Sequence, residues 1–452
     1  MRSKFVEVDR ETVYLLPPSI QDWLPENHLA RFVVDIVSRL NLEALKKAYS
    51  GRGSKAYHPE MLLALLFYGY ATGVFSSRKL ERATYDSVAF RYVAANTHPD
   101  HDSIATFRKR FLGYLKPLFK EILEIAHSMD VLKLGKVSLD GTKMKANASK
   151  HRALSWDHAC KLEKQLTEEV EELLRKAEEA DKADLPEGMS LPNELARRET
   201  RLKLIEEAKE EIKKRASERY TKEKEAYDKK VAEREEKEKV TGKKAKGRAP
   251  KQPDSSPNGK DQVNLTDSES RIMPKSGGGF EQAYNSQAAV DIETMLIVEE
   301  HVTQNVNDKL EIEPTLENLS SLPREIGEID SLLADAGYFS GDNVESCAST
   351  GITPYIAPGR EKHNPPLTER FSDPPPLPNN PDAVETMKHR LKTVEGRKLY
   401  GKRKATVEPV FGIIKSVMGF RQYLLRGFKS VQGEWTLVCL AWNLKRLHAI
   451  KG

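Results

Sequence analysis

Three short apolar segments, far apart in the chain, each carry one carboxylate where a regular element starts or stops. The first two have the length and composition of buried strands, and the third has the spacing of a helix. Two strands that end in aspartate and a helix that opens with glutamate can converge on one spot. A fold that brings these three carboxylates together must therefore place the two strand ends and the helix start side by side. The segments are K-V-S-L-D-G-T at 136–142, S-L-L-A-D-A-G-Y at 331–338 and V-E-P-V-F-G-I-I-K at 407–415, and their carboxylates are Asp140, Asp335 and Glu408.

Three carboxylates that converge in a poorly hydrated site cannot all stay ionised unless a cation neutralises them. A hard divalent ion prefers carboxylate oxygens and retains water. The pattern therefore predicts a Mg²⁺ site, with Mn²⁺ as an alternative ion, in which Asp140, Asp335 and Glu408 are both the metal ligands and the catalytic residues. Taken singly, each aspartate is also accounted for as a turn residue, and Glu408 as a residue favoured by the helix dipole.

Length and composition limit the class of protein. A chain of 452 residues is too long for one core and predicts two to four domains. The net charge of +5 says little by itself, so the distribution of charge along the chain matters more. Three cysteines without C-x-x-C spacing fit a reducing compartment and argue against disulfides or a zinc site. No apolar run approaches ~20 residues and residues 1–10 lack an apolar core, so we expect neither a membrane span nor a signal peptide.

Residues 1–130 carry apolar positions at helical spacing. One predicted helix begins at His58 and Pro59, because proline is favoured in a first turn. A later helix opens near residue 103 and directs Ile104 inward. Its basic residues are expected to face outward and contact DNA phosphates, with a solvated helix face as the alternative; they are Arg108, Lys109 and Arg110. The sequence thus predicts an all-helical, DNA-binding N-terminal domain.

Residues 151–262 differ in composition from the rest of the chain. Two highly charged segments, 157–184 and 193–238, carry aliphatic residues at heptad-like spacing, which predicts two helices with a shared seam. The turn-forming residues 186–192 predict an antiparallel hairpin, and 241–262 has the composition of a flexible linker. We expect a spacer or dimerisation arm. The alternative is non-specific DNA contact through the basic residues Lys243, Lys244, Lys246, Arg248 and Lys251.

With this insert removed, 131–150 and 263–420 show an α/β pattern. Residues 131–140 end in a predicted short strand. Further strands are predicted at 282–290, 294–302, 329–334 and 352–356, and helices at 308–319, 342–350 and 405–418. The last segment, 421–452, predicts a C-terminal helix that packs on this core, because it is apolar on most sides.

This order resembles the ribonuclease H-like fold of DDE transposases and integrases, with the first Asp on the first strand, the second Asp after the fourth strand and the Glu on a late helix. The motifs are similar to those of bacterial insertion-sequence transposases: D-G-T-K at 140–143, A-D-A-G-Y at 334–338, V-E-P-V-F-G-I-I-K at 407–415, T-D-S-E-S-R-I-M at 266–273 and the helical N-terminus with His58-Pro59. The resemblance covers almost the whole chain. It implies an α/β protein with a ribonuclease H-like mixed sheet core, an all-helical N-terminal domain and an inserted charged helical hairpin.

That transposase group also carries a Tyr-Arg-Glu-Lys signature. Glu408 and Lys415 match it, and they lie two helical turns apart on one face, so Lys415 is expected to hold a phosphate beside the metal. The upstream half departs from the pattern. Lys404 stands where arginine is expected, Arg403 is its neighbour, and Tyr400 is one residue further from the glutamate than usual. The tyrosine and arginine roles therefore stay open.

A basic cluster leads directly into Glu408, with eight lysines and arginines and only one acidic residue, Glu395, between 388 and 404. We expect this cluster to follow a DNA backbone, with a solvated basic helix as the alternative. The residues predicted to bind DNA in this region are Arg397, Lys398, Tyr400, Lys402, Arg403, Lys404 and Lys415.

The resemblance implies Mg²⁺-dependent cleavage of double-stranded DNA at terminal inverted repeats and strand transfer to target DNA. The pairing of two element ends implies a homodimer on DNA, and the expected location is the bacterial cytoplasm, at the nucleoid and not at a membrane. Two rival functions stay open. One is that of a transposase-derived DNA-binding protein that no longer cuts, and the second is that of a coiled-coil adaptor in which the insert is the functional part.

Overall fold

The computed structural model describes residues 19–49, 56–180, 191–241, 247, 249–275, 277–359 and 372–451. The chain divides into two compact units. Unit 1 comprises Met1–Met144, Asn285–Leu425 and Lys429–Gly452, and unit 2 comprises Lys145–Tyr284 and Arg426–Phe428. The division into 1–130, 131–150 with 263–420, 151–262 and 421–452 remains a prediction from the sequence.

The described residues form the following helices and strands. The helices are α1 (Ile20–Trp23), α2 (Leu29–Arg39), α3 (Glu43–Lys47), α4 (Pro59–Ala71), α5 (Ser77–Asp86), α6 (Val88–Val93), α7 (His101–Phe111), α8 (Leu115–Ser128), α9 (Trp156–Ala180), α10 (Leu191–Thr241), α11 (Ile312–Ser320), α12 (Gly341–Ser349), α13 (Ala383–Lys392), α14 (Val394–Gly401), α15 (Val407–Ser416) and α16 (Phe428–Lys451). The strands are β1 (Lys136–Lys145), β2 (Ala153–Ser155), β3 (Gln262–Asn264), β4 (Arg271–Pro274), β5 (Phe280–Asp291), β6 (Ile297–Thr303), β7 (Ser331–Ala334) and β8 (Thr353–Ile356).

The N-terminal region of unit 1 is helical, as predicted. Helix α4 is its central element, because all residues from 62 to 71 are buried. Helices α2, α6 and α7 pack against α4. A helix that is apolar on every side can be stable only when neighbours cover it on every side.

The sheet of unit 1 has the strand order β6–β5–β1–β7–β8. The pairs β1–β7 and β7–β8 are parallel, and the pair β5–β6 is antiparallel. Strand β7 is buried along its full length, as expected for a central strand covered on both faces. The mixed sheet and the order of its strands confirm the predicted α/β, ribonuclease H-like core.

Helix α16 packs on this sheet through specific hydrogen bonds. The indole nitrogen of Trp435 donates to the backbone carbonyl of Gln287 at 3.0 Å. Asn443 pairs with both backbone groups of Ile297, accepting from its N–H at 2.8 Å and donating to its carbonyl at 2.7 Å. The C-terminal helix therefore lies against the core, as its apolar composition predicts.

Two predicted boundaries in the core are wrong. Strand β1 continues past Asp140 to Lys145, because Thr142 and Met144 maintain the inward alternation and are both buried. Helix α11 begins at Ile312 rather than at residue 308. Residues 304–311 instead form a loop, in which the carboxylate of Asp308 accepts hydrogen bonds from two side-chain amides of β5.

The position of Arg108 also differs from the prediction. Its side chain was expected to face outward, but the residue is only 7% exposed. Its guanidinium donates to the hydroxyl of Tyr70 at 3.1 Å and to the carbonyl of Phe75 at 2.8 Å. Residue 108 follows Ile104 by four positions and therefore shares its inward face. Lys109 and Arg110 are exposed, as predicted.

Unit 2 contains the predicted helical hairpin. Helices α9 and α10 run antiparallel and are joined by ion pairs between Lys209 and Glu163 at 2.5 Å and between Arg198 and Glu169 at 2.8 Å. Strands β2 and β3 pair antiparallel beside the hairpin. A separate apolar core holds these elements together; its buried residues are Leu154, Ala159, Leu166, Ile205, Ala208, Ile212 and Val263.

Parts of the insert lie outside the described residues. They include residues 186–190 of the predicted turn and the predicted linker residues Lys243, Lys244, Lys246 and Arg248. Within the described ranges, no helix combines the length and the apolar character that a membrane crossing requires.

Candidate active site

Two of the three predicted acidic residues occupy neighbouring positions on adjacent parallel strands. The register pairs Ser138 of β1 with Leu333 of β7. Continued by two residues, that register places Asp140 beside Asp335, which follows the last residue of β7. Paired strands lie about 4.8 Å apart, so Asp140 and Asp335 are neighbours at the point where β7 ends.

The third acidic residue, Glu408, is linked to Asp140 by the side chain of Arg403. The guanidinium of Arg403 contacts a carboxylate oxygen of Asp140 at 3.4 Å and one of Glu408 at 3.1 Å. The Arg403 side chain is only 8% exposed. One buried cation thus bridges a residue of β1 and the first turn of α15, although the two carboxylates are 268 positions apart in the chain.

The electrostatics of Asp140 reflect this crowding. Burial, followed by the negative charge of Asp335, raises the pKa of Asp140 to about 6, although Arg403 opposes the shift. A carboxyl group whose anion is disfavoured in this way gains most from a nearby cation.

Lys415 lies where the shared helical face predicts. Its ammonium group donates to the hydroxyl of Thr142. Thr142 follows Asp140 by two positions on β1 and therefore points to the same side of the sheet. Helix α15 consequently lies along this face, with Glu408 near Asp140 and Lys415 near Thr142.

The two basic residues of the incomplete signature have different surroundings. Arg403 is buried and contacts two of the acidic residues, whereas Lys404 is exposed. The hydroxyl of Tyr400 donates to the carbonyl of Ala334, directly before Asp335, at 3.3 Å. Residues 402–406 form a turn between α14 and α15. The contacts of Arg403 and Tyr400 favour these residues for the arginine and tyrosine roles, and that assignment stays a prediction.

The remaining predicted DNA-binding residues lie at the surface or in contact with nearby backbone. Lys398 is exposed, and Lys402 forms an ion pair with Glu293 at 2.7 Å. Arg397 donates to the carbonyl of Ser372 at 2.9 Å. In the N-terminal region, Arg110 stacks over the ring of Tyr49, with 5.3 Å between guanidinium carbon and ring centroid. DNA binding by these residues stays a prediction.

Sequence reasoning missed one acidic residue and the polar side chains around it. Asp308 lies next to Gly141. Its carboxylate accepts hydrogen bonds from Asn285, Gln287 and Lys143. Asn285 and Gln287 are polar residues of strand β5, and both are fully buried. Polar residues two positions apart within the buried strand β5 were the available signal, because buried amides require partners.

The carboxylates of Asp140, Asp335 and Glu408 suit a hard divalent cation, but they are not close enough together to coordinate one ion in this arrangement. Within the described ranges, no three acidic, histidine or cysteine side chains stand close enough to hold a metal ion. The guanidinium of Arg403 separates Asp140 from Glu408. Mg²⁺ and Mn²⁺ prefer carboxylate ligands, and burial, together with the charge of Asp335, raises the pKa of Asp140 and so disfavours its anion.

Comparisons with known families agree with this geometry. The family model described as a transposase domain (DUF772) matches residues 18–110, and the model described as a transposase DDE domain matches residues 248–444. Asp335 and Glu408 fall inside the second match, and Asp140 precedes it. Neither the curated proteins nor the solved structures give a match. With two transposase models in their expected order and the acidic residues gathered at one sheet edge, the chain belongs to the DDE transposases of insertion sequences, whose reaction is the cleavage and transfer of DNA strands.

Proposed function

We propose that this chain cleaves DNA at the terminal inverted repeats of its own element and joins the freed ends to target DNA in a reaction that depends on Mg²⁺ or Mn²⁺. The observation that supports this most directly is the contact of Arg403 with both Asp140 and Glu408, beside the strand end that carries Asp335. Three carboxylates at one sheet edge match the chemistry of phosphoryl transfer assisted by metal ions.

Asp140, Asp335 and Glu408 would hold the cation, which when bound supplies activation of a water and stabilisation of charge on the leaving 3′-oxygen. With Asp140 and Glu408 neutralised, Arg403 would no longer be held between them, and its guanidinium would be able to contact a DNA phosphate bidentately. Lys415, held beside Thr142, is in position to contact the adjacent phosphate.

The reaction proceeds in two phosphoryl transfers. Hydrolysis at the element end breaks the bond to the 3′-oxygen and leaves a 3′-hydroxyl, which then attacks a phosphate of the target strand and displaces its 3′-oxygen. The exposed residues Lys398 and Lys404 would follow the backbone by charge. Two ends must be present together, so we propose a homodimer on DNA, acting at the nucleoid in the bacterial cytoplasm.

The test has two stages. DNA captured by the purified chain is sequenced first, and inverted repeats that flank its own reading frame are expected. Supercoiled plasmid carrying those repeats is then incubated with Mg²⁺ and with Asp140→Asn, Asp335→Asn or Glu408→Gln protein. Each variant should lower the nicking rate by about a thousandfold, since loss of one ligand removes several kcal/mol of transition-state stabilisation, while end binding in a gel-shift assay stays within about threefold.

Asp342→Asn is the matched control, because Asp342 is an exposed carboxylate in the first turn of α12. It should cleave at the wild-type rate. A variant of the three that still cleaves normally is not a metal ligand. If the wild-type chain binds the repeats but does not nick them with Mg²⁺ or Mn²⁺, the chain is instead the catalytically silent DNA-binding protein, an outcome that the position of Arg403 between two acidic residues would then explain.

A further inference from the structure

Asp308 is an acidic residue that the three-carboxylate site does not use. One of its oxygens, Oδ1, accepts three hydrogen bonds: from the amide of Asn285 at 2.6 Å, from the amide of Gln287 at 2.8 Å and from the ammonium of Lys143 at 3.1 Å. The second oxygen, Oδ2, has no hydrogen-bond partner among the described residues. Three donors on one oxygen fix the carboxylate in place and leave the second oxygen available.

Gly141 leaves space that Asp308 occupies, and Gly337 lies beside the second oxygen of Asp308. A Cβ atom at Gly141 would lie 2.6 Å from Oδ1 of Asp308, a distance that real Cβ atoms do not show. A Cβ atom at Gly337 would lie 3.7 Å from Oδ2 of Asp308 and 2.9 Å from Oδ1 of Asp335. Oδ2 of Asp308 is therefore no further than the sum of those two distances, 6.6 Å, from Oδ1 of Asp335, which itself accepts the backbone N–H of Gly337 at 2.7 Å.

A buried acceptor without a partner lies beside Gly141, close to Asp308. The amide nitrogen of Asn285 donates to Asp308 and to the carbonyl of Asn305, which fixes the orientation of the amide. Its oxygen, Oδ1, is consequently turned the opposite way, 2.9 Å from the position of a Cβ at Gly141. Asn285 is 0% exposed, and this oxygen has no partner among the described residues. A buried acceptor that finds no donor destabilises the fold, and a water of a hydrated cation is such a donor.

We propose that Asp308 is a fourth carboxylate of the cation site. It binds a divalent cation, or a water of that cation, through Oδ2 beside Asp335, while the oxygen of Asn285 accepts a hydrogen bond from the hydration shell. The inference rests on the proposed function, because it assigns a further ligand to the same site.

The test measures Mn²⁺ binding by the full-length, metal-free chain. Isothermal titration calorimetry and the electron paramagnetic resonance signal of free Mn²⁺ give the affinity and the number of bound ions. Asp308→Asn preserves the size of the side chain and its Oδ1 acceptor. It should weaken Mn²⁺ binding at least tenfold or remove one bound ion. Glu313→Gln, an exposed carboxylate five residues further on, removes the same charge and should bind Mn²⁺ within twofold of the wild type. If Asp308→Asn binds Mn²⁺ as Glu313→Gln does, Asp308 only anchors its loop and the inference is wrong.

Two comparisons separate this inference from the proposed function. If the wild-type chain takes up no Mn²⁺, both are wrong. If Asp140→Asn and Asp335→Asn lose Mn²⁺ while Asp308→Asn keeps it, only the inference is wrong. Should Asp308→Asn fail to fold, Asp308→Glu replaces it: a carboxylate displaced by one methylene should change Mn²⁺ affinity at least threefold, and an unchanged affinity counts against the inference.

Discussion

Arg403 is the side chain on which the arrangement of the acidic residues depends. It is buried, it contacts Asp140 and Glu408, and its Nε atom has no hydrogen-bond partner among the described residues. In the absence of a bound cation, this guanidinium is the counter-charge nearest to Asp140. Removing it leaves a buried carboxylate that must either remain an unpaired anion or take up a proton.

We therefore predict that Arg403→Gln lowers the free energy of unfolding of the metal-free chain by about 2–3 kcal/mol at pH 8. The loss should shrink near pH 5, because Asp140, with a pKa raised to about 6, is then largely protonated. Urea unfolding at both pH values measures the difference.

Lys404→Gln is the control, since Lys404 is the exposed neighbour of Arg403. An exposed substitution of this kind changes stability by about 0.5 kcal/mol or less. Equal losses for the two variants would show that Arg403 does not stabilise the acidic residues, and that the assignment of the signature arginine to position 403 is wrong.

At the scale of single elements, a buried polar network anchors the loop that carries Asp308. His301 of β6 contacts Glu299 and Glu311, each at 3.0 Å. The amide of Asn305 donates to Glu311 at 2.7 Å. Burial lowers the pKa of His301, but the two glutamates outweigh burial and raise it to about 10. The network joins the end of β6 to the start of α11 across the loop 304–311.

The pH dependence of stability follows from the direction of this shift. Because the folded-state pKa of His301 lies above the unfolded value of 6.5, its contribution is fully present below about pH 6.5 and is lost as pH rises through 10. We predict that wild-type stability falls by up to about 4 kcal/mol between pH 7 and 10 from this group alone. His301→Gln should be less stable at pH 7 and should show a flatter profile.

Chemical unfolding at pH 7, 8.5 and 10 tests this network. His389→Gln is the matched control, because His389 is at the surface and, among the described residues, its hydrogen bond is to the backbone carbonyl of Pro375. If His301→Gln and the wild type lose stability in parallel, His301 is not the group that titrates.

At the scale of the whole chain, the position of the insert suggests how it can be removed. Ser155 and Gln262 are partners at the end of the β2–β3 ladder, so the two ends of the insert are adjacent within unit 2. The helical hairpin also has its own apolar core. We predict that replacing 156–261 by the two-residue turn Asn-Gly leaves a folded chain, since this turn suits a two-residue hairpin.

The shortened chain should keep Mg²⁺-dependent nicking of the inverted repeats within about tenfold of the full chain, if the insert is a spacer or a dimerisation arm and the acidic residues carry the chemistry. Plasmid nicking and circular dichroism are the measurements. A shortened chain that folds but neither binds nor cuts the repeats would instead support a coiled-coil adaptor.

Much of the core could be predicted because its signals are local. Strands β5, β6, β7 and β8 lie within a few residues of their predicted bounds, since apolar runs of strand length and nearby turn residues specify them. The extension of β1 was missed because Gly141 and Thr142 look like a turn in isolation. The late start of α11 was missed because the hydrogen bonds to Asp308 come from β5, more than 20 positions earlier.

The site shows the same division. The order of Asp140, Asp335 and Glu408 could be derived from the sequence, together with the face shared by Glu408 and Lys415, because strand ends and helical periodicity follow from residues close in the chain. The burial of Arg108 was also within reach, since it follows Ile104 by one helical turn. The choice of Arg403 over Lys404 was not, because the two are adjacent basic residues that only a turn separates into buried and exposed.

The sequence by itself determined which elements form and in which order their acidic residues occur, since backbone propensity and apolar periodicity act over a few residues. Only the tertiary structure decided that Arg403 bridges two acidic residues, that Arg108 is buried and that Asp308 occupies space left by Gly141. The physical reason is distance along the chain. The contacts between separate elements depend on how β1, β5, β7 and the later helices pack. That packing is set by the whole core rather than by residues close in the chain.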